Sequence, residues 1–237
     1  MSLYDDSKHA VGDDIVRLHA DELASFTQAG TWGTASQRNA VAQLARATRI
    51  GDGVNEGQVA ANGDVLSDAV ARVVCEVARG AVGVDRAFFQ AALADGITEP
   101  AYVELVGVVA RLVNLDVFAR GLGVPLRELG EPVADREPSF ERPEEAKQEG
   151  FFTASVPSAP EGGALAESIY GNRVAANISR SVSLVPAEAR RVNRLIKTQY
   201  LRDGEILSFE RELGHALNRS QVELIATRVS AHHQCFY

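Results

Sequence analysis

The sequence predicts an all-α fold, and three observations lead to this prediction. Apolar residues recur at three- and four-residue intervals along most of the chain, as they do from Val70 to Ala78. Side chains that accept hydrogen bonds at helix N-termini precede several of these stretches, namely Ser67, Asp85 and Thr98. Valine-rich runs lie within the same helical periodicity, so strand signals are weak throughout. We therefore expect a bundle of roughly eight to ten helices.

In the N-terminal half, the first two helices are expected at 14–28 and about 36–50, with Gly30 and Gly33 between them. The stretch 51–63 is rich in Gly, Asn and Asp and is predicted to be a loop. A strongly helical block follows over 66–94, interrupted by glycines before Asp85. A long helix, apolar on most sides, then begins after Thr98 and ends at Gly121 and Gly123, and we expect it to lie centrally.

The C-terminal half begins with a change of character. Five prolines fall among many charges in residues 130–163, which predicts a linker or wrapping segment without regular structure. Helices resume at about 164–171, 186–201 and 219–234, and Pro186 suits the first turn of its helix.

Composition narrows the classes of partner. The 237 residues are 46% hydrophobic, which suffices for a sizeable core, and the net charge is -8. An acidic chain is a poor match for nucleic acid or an anionic membrane surface, so neither is an expected partner. No apolar run reaches the ~18 residues of a membrane span, and the polar N-terminus lacks the features of a signal peptide. We expect a cytoplasmic protein, in which the basic residues from Arg190 to Lys197 form a solvated helix face.

Two cysteines, Cys75 and Cys235, are too few for a disulfide framework. Cys75 lies on an apolar stripe and is expected to be structural. His232 and His233 are adjacent, so they do not share a helix face, and no further ligands stand at metal-binding spacing around them. The sequence has no phosphate-binding glycine loop and no dinucleotide fingerprint. Neither a metal nor a cofactor is therefore expected.

The most specific motif lies in the stretch SQVELIATRVSAHHQCFY, residues 220–237. Glu223 stands twelve residues before Cys235, and Cys235, Phe236 and Tyr237 match the first three positions of a Cys-x-x-Cys motif. This stretch resembles the signature helix of the carboxymuconolactone decarboxylase / alkylhydroperoxidase-D-like (AhpD-like) family. In that family a Glu precedes the Cys-x-x-Cys at this spacing, and a His follows the motif.

The resemblance extends more weakly over the rest of the chain. Residues 101–125 look like the helix that follows the motif in each family unit, and residues 18–32 and 183–201 match two-unit members in general character. The resemblance implies two related halves. Residues 1–129 would form a first unit with a degenerate motif, because apolar residues, glycine and Arg86 occupy its motif positions. Residues 130–163 would link it to a second, incomplete unit, 164–237.

The function that the resemblance implies is that of a thiol-dependent peroxidase, an antioxidant oxidoreductase. In the family the second Cys attacks the peroxide, and a Glu and a His relay protons. Glu223 and Cys235 match family positions and are candidate catalytic residues. His233 is a third candidate because a nearby His lowers the pKa of a thiol. The expected partners are a small-molecule peroxide, a thiol reductant and further copies of the chain. Full activity is expected to need the second Cys and the His, which would follow Tyr237.

The residues leave other interpretations open. Glu223 could be a surface residue, and Cys235 could be an incidental free thiol at a frayed terminus. The chain could be a non-catalytic helical scaffold that oligomerises, having lost the motif in both units. A third interpretation is lactone or decarboxylation chemistry like that of carboxymuconolactone decarboxylase, which would use polar residues in a pocket between helices. Trp32 and Tyr200 are expected to be packing anchors.

Overall fold

The computed structural model describes residues 3–50, 65–133, 137–150, 152–171, 174–201, 216–232 and 235. Within these ranges the protein has nine helices and no strand, which confirms the predicted all-α fold. The nearest approach to a sheet is an isolated antiparallel bridge between Lys147 and Ser155. The chain forms two compact units, Met1–Leu195 and Ile196–Tyr237. The predicted boundaries near 129 and 163 both fall inside the first unit, and the relation between two halves of the chain stays a prediction.

The helices follow the predicted order closely. Their bounds are α1 Asp13–Ser25, α2 Ala35–Ile50, α3 Asp68–Ala78, α4 Arg86–Ala94, α5 Glu99–Leu122, α6 Gly163–Tyr170, α7 Asn177–Arg180, α8 Pro186–Gln199 and α9 Arg219–His232. The short α7 was not predicted, since four residues carry no measurable periodicity. The predicted loop at 51–63 lies outside the described residues.

The predicted helix caps are present. Ser67, Asp85 and Thr98 each accept a hydrogen bond from the backbone N–H three residues further on, at 3.3, 2.8 and 3.3 Å. The central helix α5 ends at Gly123, whose φ of +72° lies in the left-handed region that favours glycine. These ends depend on contacts within a few residues, which is why the sequence alone predicted them.

The first helix ends earlier than predicted, at Ser25 instead of residue 28. The backbone N–H groups of Phe26 and Thr27 donate to carbonyls three residues back, a tighter turn than the α-helix. The Phe26 side chain is fully buried. The chain therefore leaves the helical path here, and the glycine-rich turn that follows can approach α5.

The main core lies where α2, α3 and α5 pack on one another, with α1 against α5. Its buried side chains are mostly branched and aliphatic, including Val41, Leu44, Val74, Val108 and Leu112. A second apolar cluster joins α6 and α8 with Val103 of α5, with Ala154 and Val156, and with the residues on either side of α7. The long α5 is thus covered on most sides, as its apolar sequence predicts.

Residues 130–163 were predicted to lack regular structure, and in their described part only Gly163, the first residue of α6, is helical. Hydrogen bonds hold this segment to the turn after α1: Val133 N–H donates to the Thr27 carbonyl and Phe140 N–H to the Thr31 carbonyl, both over 2.8 Å. The segment therefore packs along the first unit. Among the described helices, none combines the length and the hydropathy that crossing a membrane requires.

Candidate functional site

The sequence-predicted site residues lie in the second compact unit. Cys235 is exposed and reduced, and its backbone N–H donates to the Ser230 carbonyl over 2.9 Å at the end of α9. Glu223 is partly exposed and accepts hydrogen bonds from the Tyr200 hydroxyl at 2.7 Å and from Arg219 at 2.8 Å. His233 lies outside the described residues.

The structure does not bring Glu223 and Cys235 into contact. The Ser230 carbonyl, to which Cys235 is bound, lies two helical turns beyond Glu223, roughly 10 Å along the axis. Glu223 instead belongs to a small polar cluster with Tyr200 and Arg219. Burial, followed by the hydrogen bond and charge of Glu223, raises the pKa of Tyr200 to about 12. The Tyr200 hydroxyl is therefore a proton donor to the carboxylate at neutral pH.

A second group of polar residues, which the sequence analysis did not single out, lies buried in the first unit. Glu104 and Arg111 stand seven residues apart on the same face of α5, within its most apolar stretch. Both are almost fully buried, with 3% and 1% of their surface exposed. A buried charge is costly unless it is paired, so the partners of these two residues determine how the helices fit together.

The partners come from three other helices. Arg38 of α2 donates from Nη1 to Glu104 over 2.6 Å and to Glu188 of α8 over 3.0 Å. Arg111 donates from Nε to Glu188 over 2.9 Å and from Nη1 to Glu22 of α1 over 2.5 Å. These five side chains form one continuous network, which joins α1, α2, α5 and α8.

The two arginines and three carboxylates of the network hold one another in their charged forms. Burial alone would raise the pKa of Glu188, but the charges of Arg111 and Arg38 outweigh it and hold that pKa below its ordinary value. Likewise burial lowers the pKa of Arg38, but Glu188 and Glu104 outweigh this and raise it. Both groups are therefore ionised at neutral pH.

The contacts of two arginines at the edge of the network differ from one prediction. Residues 190–197 were expected to form a solvated basic face. Instead, Arg191 and Arg194 each donate to the buried carboxylate of Glu22 over 3.1 Å. Arg194 also binds Asp21 over 2.7 Å. This part of α8 therefore docks on α1 through its charges.

The turn between α1 and α2 encloses the carboxylate of Glu104. The backbone N–H groups of Thr31 and Trp32 donate to Oε2, both over 2.9 Å, and that of Gly33 donates to Oε1 over 3.2 Å. A Cβ atom on Gly30 would lie only 2.1 Å from Oε1 of Glu104. Sequence analysis assigned Gly30 and Gly33 to a helix break. Gly30 has a further role, because its lack of a side chain lets the turn close on the buried carboxylate of Glu104.

A cavity of about 650 Å³ lies beside this turn, between α2, α3 and α5. Its walls are mainly apolar, and its polar groups include Arg38, Glu104 and the indole of Trp32. Nε of Arg38 and Nε1 of Trp32 are buried and have no acceptor among the described residues. Trp32 packs against the second apolar cluster, as expected of an anchor, but it also lines this cavity.

The signal for the buried network was present in the sequence as charges inside apolar runs. Glu104 and Arg111 interrupt PAYVELVGVVARLVNLD, where a solvated helix would place its charges on a polar face. Their partners could not be predicted, because Glu22, Arg38 and Glu188 are distant in sequence.

Comparison of the chain with family models, curated proteins and solved structures gave no match. Within the part of the chain that the structure describes, no group of three or more His, Cys, Asp or Glu side chains could hold a metal ion.

Proposed function

We propose that this protein is an AhpD-like, thiol-dependent peroxidase with one departure from the family: Cys235, which matches the first Cys of the motif, attacks the peroxide in place of the second Cys. The observation that carries the proposal is the exposed, reduced thiol of Cys235 twelve residues after Glu223, at the end of α9. A thiol must be accessible to meet a peroxide, and Cys235 satisfies this requirement whereas the buried Cys75 does not.

The reaction proceeds in three balanced steps. The thiolate of Cys235 attacks one peroxide oxygen and breaks the O–O bond, and the leaving oxygen takes a proton to become an alcohol or water. The resulting sulfenic acid condenses with an external thiol, which releases water and forms a mixed disulfide, and a second external thiol reduces that disulfide.

Glu223 is the proposed proton-transfer residue, on the strength of its family spacing. It accepts from Tyr200 and Arg219 and does not contact Cys235, so proton transfer to the reacting oxygens would pass through water. The Glu223→Gln variant tests this role, because it preserves the shape of the side chain and removes its charge.

The test measures hydrogen peroxide consumption and sulfenic acid trapping by dimedone, with dithiothreitol as the reductant. We expect Cys235 to react at least about tenfold faster than free cysteine at the same pH, in line with the modest end of acid–base catalysis. Cys235→Ser abolishes the reaction, and Cys75→Ser leaves it unchanged. A rate equal to that of free cysteine would refute the proposal.

A second candidate function is assembly through α9. Leu224, Ile225 and Val229 on this helix are 63%, 53% and 54% exposed. Three large apolar side chains on one short helix suit packing against the same helix of a second copy. Light scattering would then show an oligomer that Ile225→Glu dissociates, whereas Thr227→Glu, at an exposed polar position, does not. A monomeric wild-type protein would exclude this candidate.

A further inference from the structure

We propose that the cavity between α2, α3 and α5 binds an uncharged, mostly apolar molecule that carries one carbonyl oxygen. The proposal goes beyond the peroxidase function, because the cavity lies in the first compact unit and uses none of the residues assigned to peroxide chemistry.

The size and walls of the cavity suit a small organic molecule. Its volume of about 650 Å³ lies within the range of about 300–1,000 Å³ that is usual for ligand pockets. Apolar side chains from three helices and from the turn before α5 form most of its surface, including Val41, Leu66, Val70, Ile97, Leu105 and Val108. Such walls favour an apolar body over a sugar or a nucleotide.

Two buried donors indicate which polar atom the molecule carries. Nε of Arg38 and Nε1 of Trp32 each hold an N–H, and no acceptor for either lies in the described ranges. Arg38 is 4% exposed, so water cannot freely replace a partner. A buried donor without an acceptor is costly, and an oxygen with two lone pairs in the cavity would satisfy it.

The charges around the cavity exclude an anionic ligand. Glu104 and Glu188 already offset the positive charge of Arg38. A ligand carboxylate near Arg38 would therefore meet the negative charge of Glu104, and no further cation lies among the described residues that line the cavity.

A ligand that offers donors is disfavoured as well. Glu104 already accepts four hydrogen bonds, two at each carboxylate oxygen, from three backbone N–H groups and Arg38. This fills the acceptor capacity of a carboxylate. Beside Arg38, Trp32 and Glu104, a carbonyl oxygen, which accepts and does not donate, is therefore the group that fits.

Phe140, which forms part of the aromatic wall of the cavity, has a strained backbone conformation. Phe140 has a φ of +53°, which is unfavourable for a bulky residue. Its ring meets that of Trp32 edge to face, with 5.6 Å between the centroids. Its N–H donates to the Thr31 carbonyl, so the strained residue is fixed to the turn that carries Trp32. This arrangement keeps the indole beside the cavity.

The test uses prodan, an uncharged dimethylaminonaphthalene ketone whose emission shifts to the blue in apolar surroundings. Trp32 is the one tryptophan in the sequence, so energy transfer from its indole reports binding beside it. We expect saturable binding with a blue shift and quenching of Trp32. The analogue in which CH₂ replaces the carbonyl should bind at least about thirtyfold more weakly, because it loses a neutral hydrogen bond from Trp32 and a stronger one from the charged Arg38.

Three variants locate the site. Trp32→Phe removes the N–H and should weaken prodan binding about threefold to tenfold while leaving the CH₂ analogue unaffected. Val70→Phe fills the cavity and should abolish saturable binding. Val113→Phe, a half-buried position on α5 outside the cavity, should bind prodan like the wild type.

Several outcomes would overturn the proposal. One is equal affinity of the wild-type protein for prodan and its CH₂ analogue, a comparison that needs no variant and so does not depend on mutant folding. Another is tighter binding of the matching naphthalene carboxylate than of prodan. A third is unchanged binding in a folded Val70→Phe protein. The peroxidase assay is independent of all three, so either proposal can fail alone.

Discussion

Arg111 and Glu188, which lie 77 positions apart in the sequence, form a fully buried ion pair, with Nε 2.9 Å from Oε2. Their side chains are 0% and 2% exposed. The pair joins the middle of α5 to the first turn of α8, and each member holds a second partner of opposite charge, Glu22 and Arg38 respectively. Because the two arginines of the network hold three buried carboxylates, removing either arginine leaves a buried negative charge without its partner.

The first prediction concerns this network. Arg111→Met should lower the free energy of unfolding by about 3–5 kcal/mol, because it removes the buried partner of Glu22 and leaves Glu188 with Arg38 alone. Arg72→Met is the control, since Arg72 pairs with Asp95 at the surface and its loss should cost less than about 1 kcal/mol. Urea denaturation measures both variants. Equal destabilisation by the two would contradict the assigned role of the network.

The second prediction concerns the turn around Glu104. Gly30→Ala should destabilise the protein by about 1–3 kcal/mol, because the new methyl group would overlap Glu104 Oε1 and lie 2.4 Å from Arg38 Nη1. Gly121→Ala, in α5 with open space around its Cβ position, should be neutral or stabilising by up to about 1 kcal/mol. Thermal unfolding of the two variants compares them, and a harmless Gly30→Ala would show that the turn can move away.

The third prediction concerns pH. His19 is fully buried, its Nδ1 lies 2.7 Å from the Tyr4 hydroxyl, and its ring packs against that of Phe118. Burial, partly opposed by the charge of Glu22, lowers the pKa of His19 from 6.5 to about 4. Between these two values the unfolded chain binds the proton and the folded protein does not. The contribution of His19 to the stability of the folded protein is therefore complete above pH 6.5 and is lost as the pH falls toward about 4.

The dependence of the free energy of unfolding on pH has a measurable slope. His19 should contribute up to about 1.4 kcal/mol of lost stability per pH unit across that window. Urea denaturation of the wild type and of His19→Phe, at several pH values between the two limits, isolates the contribution, because the carboxylates titrate in both proteins. Parallel pH profiles would mean that His19 keeps its ordinary pKa in the folded protein.

The fourth prediction concerns the two thiols. Cys235 is exposed, whereas Cys75 is 7% exposed and receives a long hydrogen bond from the Thr48 hydroxyl, 3.5 Å from Sγ. Native protein should therefore show one fast-reacting thiol with Ellman's reagent and a second only after unfolding. Cys235→Ser should remove the fast phase, and Cys75→Ser should retain it. Two fast thiols in the native protein would contradict the packing of α3.

Several features were predictable from the sequence because they depend on short-range interactions. The caps Ser67, Asp85 and Thr98 and the helix end at Gly123 were each predicted and are each present. Each needs a residue type at a fixed offset from a helix end, and such offsets can be read along the chain. The burial of Cys75 followed in the same way from its place on an apolar stripe.

The predicted catalytic residues show what a spacing in the sequence can and cannot establish about a site. The spacing of twelve positions from Glu223 to Cys235 established a resemblance, but a distance along the sequence does not place two side chains in contact. In the structure Glu223 binds Tyr200, which the sequence analysis had treated only as a packing anchor. The partner of a surface carboxylate depends on which segment folds back beside it.

What the sequence determined by itself is the set of helices, their ends and their apolar faces, because each arises from residues a few positions apart. Only the tertiary structure decided that Arg38 pairs with Glu104 and Glu188, which lie 66 and 150 positions away. It also decided that Gly30 leaves room for the carboxylate of Glu104. Burying a charge is favourable only with its partner in place. The choice of partner is therefore a property of how α1, α2, α5 and α8 pack together, and the cavity beside Trp32 follows from the same packing.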